Sequence, residues 1–116
     1  MSSTDCLFCR IVAGEIPATI VRSDERTVAF RDVGPQAPVH VLVVPREHIF
    51  SLETSSDDQG DLLGALMLAA RDVARQEGLA EDGYRAVLNV GADGGQTVPH
   101  LHVHVLGGRS MDWPPG

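Results

Sequence analysis

The sequence lacks the features that mark membrane and secreted proteins. Its longest apolar runs, such as residues 39–45, are interrupted by polar residues and are too short to cross a bilayer. Residues 1–5 contain no basic segment that leads into an apolar core, so no secretory signal is evident. We therefore expect a cytoplasmic protein with no membrane partner.

Positive charge is scarce, which excludes one class of partner. Nine basic residues stand against sixteen acidic ones, and the net charge is −7. Proteins that bind a nucleic-acid backbone depend on clustered Lys and Arg, so no nucleic-acid partner is expected. A single small phosphate ligand is compatible with this charge, because backbone N–H groups and imidazoles can hold one without a basic patch.

Cysteine is almost absent, and the two that occur are close together as Cys6 and Cys9. In a reducing cytosol, the Cys-x-x-Cys spacing is typical of metal ligation or redox chemistry before it is typical of a structural disulfide. A thioredoxin-like motif requires a preceding strand, and only five residues precede Cys6. Redox chemistry is therefore the weaker interpretation.

The pattern of apolar residues predicts a single domain over residues 1–116. No repeat, low-complexity tract or linker interrupts the chain, and its 43% apolar content indicates a globular protein. A short helix is expected over 6–13, and a long helix begins near the capping box 56–59 and ends at Gly78. The predicted apolar face of the long helix comprises Leu62, Leu63, Leu66, Met67, Ala70, Val73 and Ala74.

Five strands are expected beside the two helices, at residues 19–22, 27–30, 39–44, 84–90 and 100–106. The first two form a β-hairpin, and residues from about 107 form a tail. Short connections favour antiparallel neighbours, although the long helix between the third and fourth strands leaves a parallel crossover open. The predicted fold is α+β, with about five strands in a mainly antiparallel sheet, one long helix and one short helix.

Three of the five histidines alternate along the last predicted strand. Because side chains two residues apart share a face of a strand, His100, His102 and His104 form a row, while the apolar residues between them point into the core. A lone histidine in a strand is usually a surface or core residue. Three neighbouring imidazoles lose solvation and repel one another when protonated. The row therefore indicates a functional site.

A single metal ion does not suit the whole row. His100 and His104 start about 13 Å apart in a regular strand, whereas zinc–nitrogen bonds are about 2.0–2.1 Å long. Side chains two residues apart, at roughly 6.6 Å, can share a ligand. We expect His102 and His104 to bind a phosphate and His100 to have another role.

A neutral imidazole, with its ordinary pKa of about 6.5, is a good nucleophile near neutral pH. Attack by His102 on phosphorus would give a phosphohistidine-type intermediate that water can cleave. The glycine-rich loop 91–96 lets backbone N–H groups approach an anion, and Thr97 adds a hydroxyl donor. Such a loop is often only a turn, but its position just before the histidine row favours a phosphate site.

Residues 99–106, Pro-His-Leu-His-Val-His-Val-Leu, carry the pattern of the histidine triad (HIT) family. The chain resembles the small histidine triad nucleotide-binding proteins of that family from about Cys6 to Gly116, with further matching motifs at 14–18, 32–40, 93–96, 106–109 and 113–116. The resemblance implies a sheet that pairs across a homodimer into a larger continuous sheet. It also implies a hydrolase or nucleotidyl transferase acting on purine nucleoside phosphoramidates, or related nucleoside monophosphate derivatives, through a covalent nucleotidyl-histidine.

The resemblance also assigns roles to individual residues. His102 is the nucleophile, His104 contacts the phosphate, and His40 supports the triad from a neighbouring strand. Asp32 would hold the ribose hydroxyls, and Trp113 would reach the site of the partner subunit. The phosphate pocket would include Asn89, Gly95, Gln96 and Thr97, and the slot for the purine would comprise Leu7, Phe8, Ile11, Phe30 and Val33. Without the resemblance, the apolar residues would be interpreted as core, Asp32 as a turn residue and Trp113 as part of a surface-packed tail.

A structural zinc site is implied in the same way, with Cys6, Cys9, His48 and His100 as a suitable set of four ligands. Some bacterial-type members bind zinc like this, whereas members without the cysteines bind none, so no metal is needed for the chemical step. The alternative is two free buried thiols and a surface His48.

Two other functions stay open at the level of the sequence. A nucleotide-binding regulatory module would turn substrate over only incidentally. A zinc-dependent metalloenzyme would use the histidine row as ligands. Steady-state turnover distinguishes the first from an enzyme, and activity after chelation tests the second.

Overall fold

A computed structural model describes residues 6–116, which contain five strands in one antiparallel sheet and two α-helices. The helices are α1 (Leu7–Val12) and α2 (Gly60–Gln76), and a 3₁₀ turn (Asp57–Gln59) directly precedes α2. The strands are β1 (Ile20–Ser23), β2 (Thr27–Arg31), β3 (Val39–Pro45), β4 (Tyr84–Val87) and β5 (Val103–Gly107). Neither helix has the length and apolarity that crossing a bilayer requires.

The strand order in the sheet is β1-β2-β3-β5-β4, and every neighbouring pair is antiparallel. The predicted α+β fold is therefore confirmed. Because β3 and β4 are both antiparallel to β5, which lies between them, they are parallel to each other, and α2 connects them in the crossover that the sequence left open.

Alternation along β3 separates the two faces of the sheet. Val41 and Val43 belong to the core cluster that contains the buried face of α2, whereas Leu42 and Val44 belong to the cluster that contains α1. His104 of β5 is the register partner of Leu42, so its side chain lies on the α1 face. The α1 face is therefore where the candidate site is built.

The face of α2 that packs on the sheet differs in part from the predicted one. Leu66 is 1% exposed and Met67 is 50% exposed. Successive residues of an α-helix are about 100° apart around its axis, so Met67 lies outside the buried stripe and Ala69, which was not predicted, lies within it. Leu63 is only partly buried. The prediction was wrong for Met67.

Strands β4 and β5 are shorter than the sequence predicted. β4 ends at Val87 instead of residue 90, and β5 begins at Val103 instead of residue 100. The glycine-rich turn at residues 91–95 and the bends at 98–100 take this segment out of the sheet. The N–H of Leu101 donates to the main-chain oxygen of Ile49, outside the sheet, at 2.7 Å. His100 therefore precedes the regular strand that carries His104.

Candidate active site and metal centre

Four predicted metal ligands meet where α1 packs against the segment before β5. Nδ1 of His100 lies 3.2 Å from Sγ of Cys6 and 3.4 Å from Sγ of Cys9. Nδ1 of His48 lies 3.2 Å from Sγ of Cys9 and 3.2 Å from Nδ1 of His100. A tetrahedral zinc ion with bonds of about 2.0–2.3 Å needs ligand atoms roughly 3.3–3.8 Å apart. Shifts of a few tenths of an ångström would accommodate such an ion.

The fold of α1 explains how two thiols reach one point. Cys6 is the N-cap of the helix and Cys9 lies in its first turn, so both face the same side. The N–H of Cys9 donates to Sγ of Cys6 at 3.3 Å, an interaction that suits a thiolate. Burial, together with the neighbouring Cys6, raises the pKa of the Cys9 thiol to about 11. A metal ion must therefore displace the thiol proton in order to bind.

The orientation of the His100 ring also fits a metal ligand. Its Nε2 donates to the main-chain oxygen of Pro45 at 2.9 Å, which leaves the lone pair on Nδ1, the nitrogen that faces the two cysteines. Metal-binding histidines usually donate their other ring N–H in this way. Burial lowers the pKa of His100 to about 4, so the ring is neutral. Donor types, spacing and ring orientation together define a candidate metal site.

A second group of potential ligands has the opposite ring orientation. Nε2 of His40 lies 2.9 Å from Nδ1 of His104 and 3.5 Å from Oδ2 of Asp32. The N–H of Gln36, however, donates to Nδ1 of His40 at 3.0 Å, so the proton of this ring is on Nε2. A metal at Nε2 would require the proton on Nδ1, where it would face the Gln36 N–H. This group is therefore a hydrogen-bonded chain and not a metal site.

Hydrogen bonds likewise determine which ring nitrogen of His104 and of His102 carries the proton. His40 donates from Nε2 to Nδ1 of His104, which leaves the His104 proton on its own Nε2. His102 donates from Nδ1 to the main-chain oxygen of His100 at 2.7 Å, which leaves a lone pair on its Nε2. The centroids of the His102 and His104 rings are 4.9 Å apart. A nucleophilic nitrogen and an N–H donor therefore lie on neighbouring rings.

The Nε2 atom of His102 is unpaired within the described residues, and the residue as a whole is 5% exposed. Within residues 6–116, Nε2 of His102 has no hydrogen-bond partner, and no buried side-chain nitrogen or oxygen there lacks one. Nε2 is therefore not engaged by any group of residues 6–116.

Burial keeps the supporting histidines neutral. It lowers the pKa of His104 to about 4, with further lowering by His102 and His40 and an opposing effect of Asp32. The pKa of His40 is lowered for the same main reason, and Asp32 again opposes the shift. Neutral rings are consistent with the directional hydrogen bonds that connect them.

An apolar cleft of about 280 Å³ opens beside the triad. The ring centroid of Phe8 lies 5.1 Å from that of His102 and 5.4 Å from that of Phe30, so the cleft and the triad share a wall. The cleft is lined by Leu7, Phe8, Ile11, Ile16, Pro17, Ala18, Phe30, Arg31, Asp32, Val33, Leu42 and Val98. All five residues predicted for the purine slot, and Asp32, are among them. A larger cavity of about 460 Å³, beside Leu79 and Arg109, is lined by none of the histidines.

Sequence reasoning missed several residues that line the cleft. Leu42 follows His40 by two positions on β3, so strand alternation could have placed it beside the triad. Ile16, Pro17 and Ala18 belong to the matching motif at 14–18, but no role was assigned to them. Val98 gave no signal, because it lies in an irregular segment.

The glycine-rich loop uses part of its predicted donor set internally. The N–H groups of Gly95 and Gln96 donate to carbonyls within the loop. The Gln96 side chain accepts from the N–H of Gly91 at 3.1 Å and donates to the main-chain oxygen of Phe50 at 2.7 Å, so it braces the loop. Thr97 is exposed, and its hydroxyl has no hydrogen-bond partner within the described chain. Thr97 is therefore the free side-chain donor of this loop.

Asn89 and Trp113 lie outside the cleft. Asn89 is half-buried just beyond β4, and its side chain makes no hydrogen bond to residues 6–116. Trp113 is 82% exposed in the segment after β5. An exposed indole of this size is compatible with contact to another chain.

Comparison with known proteins identifies the family. Residues 13–111 match the HIT domain. A 14 kDa zinc-binding protein of Zea mays is 47% identical over 118 residues, covering 100% of this chain and 91% of that protein. Adenylylsulfatase HINT1 of Arabidopsis thaliana is 47% identical over 117 residues, covering 99% and 79%. The crystal structure of a HIT family hydrolase from Legionella pneumophila gives a TM-score of 0.94 at 52% identity, covering 97% of this chain and 100% of that one. The chain belongs to the histidine triad family, as its sequence predicted.

Proposed function

We propose that the protein is a nucleotide-binding hydrolase or nucleotidyl transferase that cleaves purine nucleoside 5′-phosphoramidates, or related nucleoside monophosphate derivatives, through His102. The observation that carries the proposal is the hydrogen bond from Nδ1 of His102 to the main-chain oxygen of His100, at 2.7 Å. It directs the lone pair of a neutral imidazole outward through Nε2, which is what nucleophilic attack requires. The similarity to a HIT family hydrolase and to an adenylylsulfatase supports hydrolysis of an adenylyl compound.

The reaction proceeds in two displacements at the α-phosphorus. Nε2 of His102 attacks, the P–N bond breaks, and the nitrogen leaves as an amine after taking one proton from solvent. His102 is then a cationic nucleotidyl-histidine with its proton still on Nδ1. Water attacks phosphorus, the Nε2–P bond breaks with its electron pair returning to Nε2, and the water proton goes to solvent, which releases the nucleoside monophosphate and restores neutral His102. An alcohol or another acceptor in place of water would make the second step a nucleotidyl transfer.

His104 stabilises the phosphoryl group as a neutral donor. Because its Nδ1 accepts from His40, its N–H is at Nε2 and can donate to a non-bridging phosphate oxygen. The hydroxyl of Thr97 is a second donor, and the side-chain amide of Asn89 would be a third. Gly95 and Gln96, whose N–H groups donate within the loop, would border the phosphate pocket without donating to it. Such donors stabilise charge that develops on oxygen in the transition state.

The nucleoside would occupy the apolar cleft. Phe8 and Phe30 offer aromatic surface to a flat base, and Leu7, Ile11 and Val33 complete the slot. Asp32 lies at the edge of the cleft, and its Oδ1 accepts from the N–H of Gly34 at 2.7 Å. Its other oxygen is then available for a ribose hydroxyl.

Zinc is the metal that the Cys6, Cys9, His48 and His100 set suits best. When bound there, it would supply no chemistry at phosphorus, because His102 and His104 are not among its ligands. It would hold α1 against the segment before β5, and so keep the main chain of His100 in place. The similarity to a zinc-binding protein of Zea mays supports this assignment.

We expect two copies of the chain to form a homodimer. β4 is at one edge of the sheet, and Tyr84 in it is 40% exposed. Met67 and Leu68 on α2 are each about half exposed. An open strand edge with apolar neighbours favours pairing with a second copy. Sedimentation of the purified protein tests this, and a monomer at micromolar concentration would contradict it.

The central test is the replacement His102→Ala. We expect steady-state hydrolysis of adenosine 5′-phosphoramidate to fall by at least about 10³-fold, because the nucleophile is lost. Binding of adenosine monophosphate, measured by calorimetry, should persist because the cleft is unchanged. Comparable hydrolysis rates in the variant and the wild type would refute the assignment of His102.

The regulatory alternative requires a second measurement. Trapping of labelled nucleotide on His102 in a single turnover shows only that the chemistry occurs. Steady-state turnover of a panel of nucleoside phosphoramidates and dinucleoside polyphosphates distinguishes an enzyme from a binding module. A module would show the trapped species with no efficient substrate in the panel.

A further inference from the structure

The loop between β2 and β3 determines which nitrogen of His40 carries the proton. The Gln36 N–H donates to Nδ1 of His40, and Nε2 of His40 lies 2.9 Å from Nδ1 of His104. If Gln36 moved away, Nδ1 of His40 would be free to take the proton, and the ring would no longer donate to His104. The position of the Gln36 N–H therefore determines which ring nitrogen of His104 carries the proton.

Arg109, two residues after the end of β5, holds Gln36 from the other side. Its Nε and Nη2 donate to the Gln36 main-chain oxygen at 3.2 and 3.0 Å, and its Nη1 donates to the main-chain oxygen of Ser110 at 3.1 Å. Two parallel N–H groups on one carbonyl fix both distance and direction. No salt bridge joins Arg109 to a carboxylate within residues 6–116. Its partners there are carbonyl groups.

Gly108 brings the same segment against the loop. Its φ is +92°, and a Cβ at this position would lie 2.9 Å from Cβ of Pro38. Glycine permits both the backbone conformation and the close approach. The chain after β5 thus contacts the loop at Pro38 and at Gln36. Because β5 carries His104, both partners of the His40–His104 hydrogen bond are tied together through Arg109.

We propose that Arg109 is a positioning residue for the histidine triad. By holding Gln36, it keeps the proton of His40 on Nε2 and so keeps His104 as a donor to the substrate. The effect on turnover rests on the proposed function, but the effect on His40 does not. Arg109 does not line the apolar cleft, so its loss lowers kcat more than it raises KM.

The experiment compares Arg109→Met with the matched control Arg85→Met. Arg85 also donates to a carbonyl after β5, that of Asp112 at 2.8 Å, but it makes no hydrogen bond to the loop. NMR of protein with ¹⁵N-labelled histidine reports the protonated nitrogen of each ring in the absence of substrate. We expect His40 to carry its proton on Nε2 in the wild type and in Arg85→Met, and to show a mixture in Arg109→Met. An unchanged His40 in Arg109→Met overturns the proposal, whatever the substrate is.

Turnover of a nucleoside phosphoramidate gives the second readout. We expect Arg109→Met to lower kcat by about tenfold with KM within about threefold, and Arg85→Met to change kcat by less than about twofold. In a His40→Asn background, Arg109→Met should add little, because its effect passes through His40. Equal losses in the two arginine variants, or an undiminished effect without His40, overturn the proposal. If no phosphoramidate is turned over, the proposed function fails and the NMR result still decides the role of Arg109.

Arg109→Lys covers the case in which Arg109→Met does not fold. Lysine retains the charge and the apolar stem but cannot place two parallel donors on one carbonyl. We expect a mixture of His40 tautomers and a smaller loss of kcat. Complete retention of the wild-type tautomer in Arg109→Lys, with Arg109→Met unfolded, overturns the proposal.

Discussion

Nδ1 of His102 donates to the main-chain oxygen of His100, while the ring of His100 faces the thiols of Cys6 and Cys9. His100 therefore belongs to two sites. Its imidazole belongs to the candidate metal centre, and its carbonyl sets the protonated nitrogen of the proposed nucleophile. A metal that takes no part in the chemistry would still affect it by fixing the main chain at His100.

Removal of the metal should affect stability more than the chemical step. After chelation we expect the thermal midpoint to fall by about 5 °C or more, because a ligand bound only by the folded state is lost. We expect kcat to fall but not to vanish, because His102 and His104 keep their own hydrogen bonds. Zinc content by elemental analysis, calorimetry and turnover of the same sample measure the three quantities.

The variant Cys6→Ala provides the control for chelation. It should bind little metal, and a chelator should not lower its thermal midpoint further. Complete loss of activity after chelation, with recovery on adding zinc and no loss of fold, would instead support a metalloenzyme. Unchanged stability of the wild type after chelation would contradict the structural role.

Leu66 and Met67 provide a matched pair for the packing of α2. Leu66→Ala should lower the free energy of unfolding by about 2–5 kcal/mol, because it removes a fully buried side chain and leaves a cavity. Met67→Ala should change it by less than about 1 kcal/mol in the monomer, because that side chain is half exposed. Urea unfolding measures both values. A similar cost for the two variants would mean that the buried stripe of α2 is different from the one described, or that Met67 is buried by a partner chain.

Strand β5 shows which part of its conformation the sequence predicts and which part it does not. The alternation of Val103 and Val105 with histidines predicts a strand, and the structure has one there. The same pattern predicted that His100 continues that strand. It does not, because the bends at 98–100 and the hydrogen bond from Leu101 to Ile49 depend on contacts distant in sequence. Periodicity reports local conformation only.

In the candidate site, too, some features can be predicted from the sequence and others depend on the folded structure. The spacing of Cys6 and Cys9 on one turn of helix indicates a shared ligand without any knowledge of the fold. The role of the Gln36 N–H in fixing the proton of His40 has no sequence signal, because a main-chain group can belong to any residue. The same holds for the carbonyl of His100. Side-chain chemistry can be predicted from sequence, whereas the backbone groups that orient it require the structure.

Asp32 should determine the preference for ribose. Its Oδ1 is used by the Gly34 N–H, and its Oδ2 is 3.5 Å from Nε2 of His40. We expect the wild type to prefer a ribonucleoside over a 2′-deoxyribonucleoside phosphoramidate by about 10- to 100-fold in kcat/KM. Asp32→Asn keeps an acceptor for the turn but lacks the carboxylate, so the preference should shrink by about tenfold. The ratio of the two substrates within each enzyme cancels any general loss of activity. An unchanged ratio in Asp32→Asn would show that another group binds the sugar.

The burial of His104 predicts a loss of stability in mild acid. Burial lowers the pKa of this ring from 6.5 to about 4. Above pH 6.5 the ring is neutral in both the folded and the unfolded protein and adds no pH dependence. Between about pH 6.5 and pH 4 the unfolded chain binds a proton that the folded protein does not, so the free energy of unfolding decreases as the pH falls. Below about pH 4 both states are protonated and the decrease stops.

Urea unfolding of the wild type and of His104→Asn across that interval, both without metal, measures this contribution together with its coupling to His40. The variant should lose less stability than the wild type between pH 6.5 and about pH 4, because it lacks the ring that resists protonation. Asp24, whose pKa is lowered to about 2 by hydrogen bonds from Arg26, Thr27 and Arg22 against the effect of burial, loses its contribution only at lower pH. It therefore does not obscure the comparison. Parallel curves for the two proteins would show that His104 titrates in the folded state as it does in water, and the neutral hydrogen-bonded triad would have to be abandoned.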